Sequence, residues 1–365
     1  MKALHILFSG LGGSSSVVFS LLNENKNNFL IKQDVFFTGS YLSKDYIRKV
    51  KESKNKYFFI KTKKSYPWLS WFDVFLKLCK EKPDLIFLHN FQFIPCLFYK
   101  IFFKTKIIYI NHQASNSRVS ASLFVFLCSL LFFEHNICVS ARITNQLKKK
   151  FSTFKSKITF IPNSVNTNFF KLDKKIKSNN YFRIGMASRL DTGKKHELII
   201  KALNNNNLKS FNIILTLAGE GANLVKLKKL VKSENLQNRV KFVGFLDERK
   251  LKLWYKSLNL YVQSTIGEAM SISIFEAMSM EVPVIGSNVV GVNNILGKKK
   301  YVGALFNNNT EDLSKKIKFF YKLSEKHYAL YTNNQRKFIL NNYSNSIMSD
   351  NYKKIILKIL PELNY

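Results

Sequence analysis

Two glutamates with seven residues between them form the pattern in this chain that is best suited to chemistry. Glu268 and Glu276 lie in the segment GEAMSISIFEAM, just before a short apolar run that contains a proline. Glu268 is expected in a loop after a strand, and Ser271 or Ser273 can cap the helix that follows. Glu276 then lies inside that helix, facing the same crevice, where its carboxylate can accept two hydrogen bonds from a ribose diol.

The start of that helix predicts an anion site. The backbone amides of Met270, Ser271 and Ile272 lie where the first N–H groups of a helix have no intrahelical partner, so a diphosphate can dock there without a metal. The alternative is a surface helix with incidental glutamates. That alternative is weak, because the chain has only 23 acidic residues among 365.

Arg189 and Lys194 form a second candidate group, in the segment SRLDTGKK that follows an apolar run. Arg189 is expected at the end of a strand and Lys194 in the loop entering the next helix, so both can converge on one anion. Arginine can hold two phosphate oxygens in a fork, and lysine supplies a compact charge. The chain contains no Asp-x-Asp pair for Mg²⁺ or Mn²⁺, so no metal is expected. In so basic a protein, an Arg/Lys pair alone is more often solvated charge.

Glycines and histidines follow strands of the first half. Gly12 and Gly13 come after the first apolar run, where glycines allow a tight turn and can direct amides towards a phosphate. His112 follows a strand and His89 ends the previous strand, both at the carboxyl edge where open α/β sheets bind ligands. Taken alone, either histidine is more often structural than catalytic. We favour His112 as the functional residue of this half.

The elements that must position these residues follow an α/β pattern, because short apolar runs alternate with longer helical ones. A polar stretch at residues 166–180 predicts a linker between two domains, 1–165 and 181–343, and the length of the chain also favours two domains. The predicted strands are residues 3–9, 34–37, 57–61, 84–89, 106–110, 136–139, 158–161, 182–188, 212–217, 240–243, 258–262 and 282–285.

Composition narrows the partners without choosing one. The chain has 58 Lys and Arg residues against 23 Asp and Glu, a net charge of +35 that attracts nucleic acid, anionic lipid or phosphorylated small molecules. No nucleic-acid-binding module or clustered basic stripe is visible, so we expect no nucleic-acid partner. The four cysteines lie in apolar runs without metal spacing, which favours reduced, buried thiols. The first residues do not resemble a signal peptide, and a cytoplasmic location is expected.

Three apolar segments of the first half, residues 68–78, 91–103 and 119–133, are too short to span a bilayer as helices. They are either buried helices or a face that lies against a membrane, with aromatic side chains at the interface and lysines on lipid phosphates. Both interpretations stay open, and the second makes an anionic membrane surface a partner. Its candidate residues are Trp68, Trp71, Phe98, Phe102 and Phe103, with Lys77, Lys80, Lys100 and Lys104.

In type and order, these motifs resemble those of the retaining family-4 glycosyltransferases, which have the GT-B fold. The resemblance runs nearly end to end and includes the Glu-x7-Glu segment and SRLDTGKK. It also includes IPNSVN at residues 161–166, the turn AGEG around Gly219, and the early glycines. One position departs from the family pattern: Lys195 stands where a glycine usually follows the lysine. That departure either alters the local turn or adds a third cation.

The resemblance implies two Rossmann-like domains facing across a cleft, with a last helix at about 344–365 returning to the first domain. It implies metal-independent, retaining transfer of a hexosyl unit from a nucleoside-diphosphate sugar, bound by the second domain, to a lipid-linked, lipopolysaccharide or capsule oligosaccharide bound by the first. A peripheral position on the inner face of a bacterial plasma membrane is expected. The implied catalytic residues are His112, Glu268, Arg189 and Lys194, and the implied donor-binding residues are Gly12, Gly13, Arg189, Lys194, Gly219, Met270, Ser271, Ile272 and Glu276. The alternative is a non-catalytic homologue that binds a sugar nucleotide, against which the intact Glu/Glu and Arg/Lys sets argue.

Overall fold

The computed structural model describes residues 1–9, 13–28, 31–62, 67–89, 92–113, 119–173, 181–297 and 300–363. The chain divides into two compact units. Unit 1 comprises Met1–Ser164 together with Asn345–Tyr365, and unit 2 comprises Val165–Ser344. Each unit contains one sheet of parallel strands with helices between them, so the predicted α/β fold class is confirmed.

Unit 1 is built on a seven-stranded sheet in the order β3-β2-β1-β4-β5-β6-β7. Its strands are β1 (Lys2–Phe8), β2 (Lys32–Gly39), β3 (Tyr57–Lys61), β4 (Leu85–Leu88), β5 (Lys106–Asn111), β6 (His135–Cys138) and β7 (Ile158–Phe160). The chain moves outwards from β1 to β3 and then returns to place β4 beside β1. The order of the strands therefore reverses between β1 and β4, and such switch points are where open α/β sheets bind ligands.

The helices of unit 1 cover this sheet. They are α1 (Gly13–Asn28), α2 (Lys44–Glu52), α3 (Trp71–Glu81), α4 (Phe93–Phe102), α5 (Val119–Phe132), α6 (Ala141–Lys150) and, from the end of the chain, α14 (Asn345–Ile359). Because helices cover parallel strands, the strands are mainly apolar, and all four residues of β4 are buried. Helix α2 is capped by Ser43, whose hydroxyl accepts a hydrogen bond from the amide of Tyr46.

Unit 2 repeats the plan with a six-stranded parallel sheet in the order β10-β9-β8-β11-β12-β13. Its strands are β8 (Phe182–Ala187), β9 (Ile213–Ala218), β10 (Val240–Gly244), β11 (Leu260–Gln263), β12 (Val284–Ser287) and β13 (Ala304–Phe306). Its helices are α7 (His196–Ala202), α8 (Leu224–Ser233), α9 (Glu248–Lys256), α10 (Ile272–Ser279), α11 (Asn293–Leu296), α12 (Thr310–Tyr321) and α13 (Glu325–Asn342). The switch point of this sheet lies between β8 and β11. Strand β13 was not predicted.

The described part of the predicted linker packs into unit 2. Phe170 is only 2% exposed and lies in the apolar core that also contains Tyr255. The guanidinium of Arg336 on α13 donates hydrogen bonds to the carbonyl oxygens of Phe170 and Thr167, at 2.8 and 2.9 Å. Residues 174–180 lie outside the described ranges. The stretch up to Asp173 is therefore an integral part of the second unit.

Across the described ranges, none of the helices combines the length and the apolar character needed to cross a membrane.

Buried histidines make the stability of the fold depend on pH. His135, at the start of β6, is 2% exposed, and burial lowers its pKa from 6.5 to about 4. Burial also lowers the pKa of His5 and His196 to about 4. Between about pH 4 and pH 6.5, the folded protein thus binds fewer protons at these histidines than the unfolded chain does. The stabilisation is complete above about pH 6.5 and is lost as the pH falls towards 4.

We expect thermal unfolding temperatures to fall between pH 6.5 and 4, and to fall less steeply in His135→Gln. The matched control is His327→Gln, because His327 is exposed on α13. Carboxylates titrate in the same range, so the difference between the two variants isolates the contribution of His135. Identical pH profiles for both variants would contradict the assignment.

Candidate functional site

The two loops at the switch point of unit 2 are bonded to each other. The loop after β8 contains Gly193, whose carbonyl oxygen accepts hydrogen bonds from the Thr265 hydroxyl and the Ile266 amide, each at 3.1 Å. Thr265 and Ile266 belong to the loop after β11. These bonds hold Lys194, the next residue, against the segment that contains Glu268.

Lys194 and Glu268 form an ion pair between their Nζ and Oε1 atoms. Each of the two side chains is 16% exposed, so the pair is largely shielded from water. Gln263, the last residue of β11, donates from Nε2 to the same Oε1 at 3.0 Å. The Oε1 of Gln263 accepts from the hydroxyls of Tyr261, at 2.9 Å, and Ser273, at 3.3 Å. We call Lys194, Glu268, Gln263, Tyr261 and Ser273 the switch-point cluster; it is held by continuous hydrogen bonds.

Glu276 lies beside this cluster on α10. Its Oε2 accepts a hydrogen bond of 2.9 Å from the hydroxyl of Tyr255, which is 3.2 Å from the carbonyl oxygen of Ser273. Burial, together with the neighbouring Glu276 carboxylate, raises the pKa of Tyr255 well above 10. Tyr255 therefore stays protonated and remains a donor to Glu276. The structure thus brings both predicted glutamates to the same end of the sheet.

The N-terminus of α10 begins beside Glu268. Ser271 occupies the N-cap position, but its side chain makes no capping hydrogen bond, and its hydroxyl lies 3.1 Å from that of Ser273. Either Ser271 or Ser273 was expected to cap this helix with its side chain, and Ser271 does not do so. Binding of an anion by the backbone of Met270, Ser271 and Ile272 stays a prediction.

Two glycines allow the site loops to approach closely. Gly219 has a φ of +126°, and a Cβ there would overlap the carbonyl oxygen of Ser188. Gly291 has a φ of +89°, and a Cβ there would overlap the carbonyl oxygen of Glu268. Side chains are disfavoured at both positions by backbone conformation and by space. Gly219, expected to bind the donor, thus has a demonstrable role in packing the β9 turn against the β8 loop.

Arg189 has a different partner from Lys194. Its side chain is 72% exposed and lies 3.3 Å from an Asp191 carboxylate oxygen. Lys195, where the family pattern has glycine, precedes α7 at the N-cap position, and its Nζ lies 3.7 Å from Glu197. The convergence of Arg189 and Lys194 on one anion stays a prediction.

The sequence did not identify several residues that build this site. Gln263 is fully buried and central to the cluster, and its only sequence signal is a polar residue at the end of an apolar strand. His196 was given no role, yet its Nε2 lies 2.9 Å from the Ser188 hydroxyl and joins the two ends of the loop that contains Arg189 and Lys194.

In unit 1, His112 follows β5 and belongs to a group of histidines. Its Nε2 lies 3.0 Å from the Nδ1 of His89, whose Nε2 lies 3.2 Å from the Nδ1 of His5. Burial lowers the pKa of His112 and His5 to about 4, and that of His89 well below 6.5. All three rings are therefore neutral at pH 7. Gly12 lies outside the described residues, and Gly13 begins α1.

Within the parts of the chain that the structure describes, no group of three or more His, Cys, Asp or Glu side chains is arranged to hold a metal ion. Metal independence itself stays a prediction.

Two family models match the chain. Residues 168–338 match the model of glycosyl transferases group 1, and residues 12–169 match that of glycosyltransferase family 4. Protein CapJ of Staphylococcus aureus is 30% identical over 35% of this chain and 33% of its own length. The O-antigen chain mannosyltransferase RfbU of Salmonella typhimurium is 26% identical over 52% of this chain and 51% of its own length. The chain thus matches a third to a half of the length of these relatives.

A solved structure of Anabaena HepE in complex with UDP and glucose has a TM-score of 0.80 and 16% identity, and covers 98% of this chain and 100% of that one. Likeness at this identity shows the fold, and with the two parallel sheets it defines a GT-B protein. Since the two family models together extend from residue 12 to residue 338, the chain belongs to the family-4 type of GT-B glycosyltransferases. The resemblance expected from the sequence is confirmed.

Proposed function

We propose that the protein is a retaining glycosyltransferase. It moves a hexosyl unit from a nucleoside-diphosphate sugar to a lipid-linked, lipopolysaccharide or capsule oligosaccharide. The observation that carries the proposal is the switch-point cluster, which presents a lysine and a carboxylate where open α/β sheets bind ligands. Membership of the family supports a nucleoside-diphosphate sugar as the donor, and so does the similar structure of Anabaena HepE, which was solved in complex with UDP and glucose.

In this proposal, unit 2 binds the donor. Glu276 accepts hydrogen bonds from the ribose hydroxyls, Glu268 from the sugar hydroxyls, and the start of α10 holds the diphosphate. Lys194, together with Arg189, neutralises the charge that grows on the leaving diphosphate. Its ion pair with Glu268 supports the assignment, because it holds the ammonium group in a shielded position before any donor binds.

The reaction breaks the bond between the anomeric carbon and the diphosphate oxygen and forms a bond from that carbon to the acceptor hydroxyl oxygen on the same face. The acceptor proton passes to the departing phosphate, so the chemistry requires no dedicated protein base. Catalysis then consists of positioning and of charge stabilisation. His112 of unit 1 helps to hold the acceptor.

We expect Lys194→Ala to lower kcat by ~10²–10³-fold, because one preorganised group that stabilises developing charge is worth about that much. Lys195→Ala is the matched control, since it removes the same charge one residue away and Lys195 pairs with Glu197 instead. The measurement is steady-state turnover of a nucleotide sugar. Donors are first selected by thermal shift, because a specific ligand stabilises the folded state by mass action. Equal kinetics in the two variants would remove the diphosphate assignment.

Metal independence forms part of the proposal, because the chain has no Asp-x-Asp pair and Lys194 can supply the positive charge. We expect turnover to be unchanged in excess EDTA. Loss of turnover that Mn²⁺ or Mg²⁺ restores would show that a metal carries the leaving-group charge.

The acceptor is proposed to be held at a membrane, by a face formed by α3 and α4. Phe72, Phe98 and Phe102 are 68%, 54% and 70% exposed. A groove of about 340 Å³ lies between the helices and is lined by Trp71, Phe72 and Phe75 of α3 and Ile94, Phe98 and Phe102 of α4. Exposed aromatic side chains of this number are typical of surfaces that contact a partner or a membrane.

The lysines of this face fall into two groups. Lys77 pairs with Glu81, and Lys100 with Glu134, so their charges are already partly neutralised. Lys80 and Lys104 are exposed near the ends of α3 and α4. The proposed contacts with lipid phosphates therefore centre on Lys80 and Lys104. A peripheral site on the inner face of a bacterial plasma membrane fits these features.

We expect the protein to float with anionic vesicles and not with neutral ones, and to bind less as salt is raised to 1 M and the Debye length falls to ~3 Å. The double variant Lys80→Glu and Lys104→Glu should reduce binding, since each lysine near an anionic surface contributes ~1 kcal/mol. The control, Lys226→Glu with Lys229→Glu, changes net charge equally on the exposed side of α8 in unit 2.

The apolar contribution is tested in the same assay. Phe102→Ser should weaken vesicle binding, whereas Phe319→Ser, at a phenylalanine of unit 2 that is 50% exposed, should not. The proposal of a membrane-binding face would be contradicted if equal amounts of protein floated with neutral and anionic vesicles. It would also be contradicted if the matched variants lost equal amounts of vesicle binding.

A further inference from the structure

Three histidines and a glutamine form a row of ring and amide contacts through the sheet of unit 1. Gln33 Oε1 lies 3.1 Å from His5 Nε2, and His5 Nδ1 lies 3.2 Å from His89 Nε2. His89 Nδ1 lies 3.0 Å from His112 Nε2. Gln33, His5 and His89 are each 1% exposed or less. We call these four residues the histidine row; it leads from the buried interior of the sheet to His112.

The sheet holds the rings of the row in place. His5 is paired in register with Phe87, and their rings stack with centroids 4.5 Å apart and planes 10° apart. The rings of His89 and His112 stack with centroids 5.3 Å apart. The amide of His89 also donates to the carbonyl oxygen of Ile6. With both backbone and rings held, the nitrogen-to-nitrogen contacts of the row are specific.

A chain of neutral imidazoles has a direction. Each neutral ring carries one N–H donor and one nitrogen acceptor, so a ring that donates at one nitrogen accepts at the other. Gln33 Oε1 can only accept, which places a proton on His5 Nε2 and the lone pair on His5 Nδ1. His89 must then donate from Nε2 and accept at Nδ1, and His112 must donate from Nε2.

We infer that Gln33, His5 and His89 are positioning residues that hold His112 as the Nε2–H tautomer, with the lone pair on Nδ1. The inference rests on the proposed function for its use: a ring in this tautomer can only accept a hydrogen bond at Nδ1, whereas the other tautomer would donate one there. The low pKa of the three rings supports it, because a neutral row keeps its direction at pH 7.

The tautomers can be measured without any substrate. Protein labelled with ¹⁵N in the histidine rings is studied at pH 7 by long-range ¹H–¹⁵N correlation, with His5, His89 and His112 assigned from single His→Gln variants. We expect the proton of each of the three rings on Nε2. A proton on Nδ1 of His112 would reverse the row and overturn the inference. This outcome is independent of transferase activity, so failure of the inference and failure of the proposed function are distinguishable.

Gln33→Met tests the origin of the direction while keeping all three histidines. It replaces the amide by a side chain of similar size that cannot act as a strong acceptor. We expect both tautomers of His112 to appear in the spectrum. An unchanged spectrum would overturn the role of Gln33.

Variants of His89 connect the tautomer to turnover. His89→Phe keeps an aromatic ring but removes both nitrogens, whereas His89→Asn keeps an amide oxygen near the position of Nδ1 that can accept from His112. We expect kcat to fall about tenfold in His89→Phe with little change in the donor KM, and to recover in His89→Asn. Equal kcat values in the two variants, with folding checked by thermal unfolding, would contradict a positioning role.

Discussion

The pairing of β8 with β11 is the constraint on which the candidate donor site depends. These strands are neighbours in the sheet although more than seventy residues separate them in the chain. Because the strand order reverses here, the loops that leave the two strands meet at one edge of the sheet. Gly193 and Thr265 then bond to each other, and Lys194 meets Glu268. No local sequence signal could produce this contact without that strand order.

The resulting ion pair would be costly without its hydrogen bonds. Lys194 and Glu268 are largely shielded from water, and charges removed from water need partners for their remaining donors and acceptors. Gln263 supplies one donor to the Glu268 carboxylate and is itself held by Tyr261 and Ser273. The cluster therefore keeps a cation and an anion close together at fixed positions. A ligand that carries both phosphate and hydroxyl groups is complementary to such an arrangement.

Unit 1 uses the same architecture for a different kind of site. Its switch point lies between β1 and β4, and the polar residues there are neutral imidazoles instead of an ion pair. Because a neutral imidazole must both donate and accept, order is transmitted through tautomers and not through net charge. Unit 1 also exposes aromatic side chains of α3 and α4 to solvent. The distinguishing feature of unit 2 is the switch-point cluster.

Much of the fold follows from local sequence patterns. Parallel strands covered by helices are mainly apolar, so runs such as LIFL and LYVQ are recognisable as strands. Strand β13, Ala304–Phe306, was not predicted. The Glu268 and Glu276 spacing was informative for a similar reason: a loop followed by a helix start places both at one strand end.

The partners of these residues were decided only by the tertiary structure. Gln263 and Tyr255 looked like ordinary residues of a strand and a helix, and His5 and Gln33 like polar interruptions of apolar strands. Their roles depend on which strands are adjacent, and adjacency is a property of the folded sheet, since it joins residues far apart in the chain. The sequence by itself determined which segments form strands and where carboxylates, lysines and histidines follow them. The strand order decided which of those groups meet, because a hydrogen bond requires contact within about 3 Å.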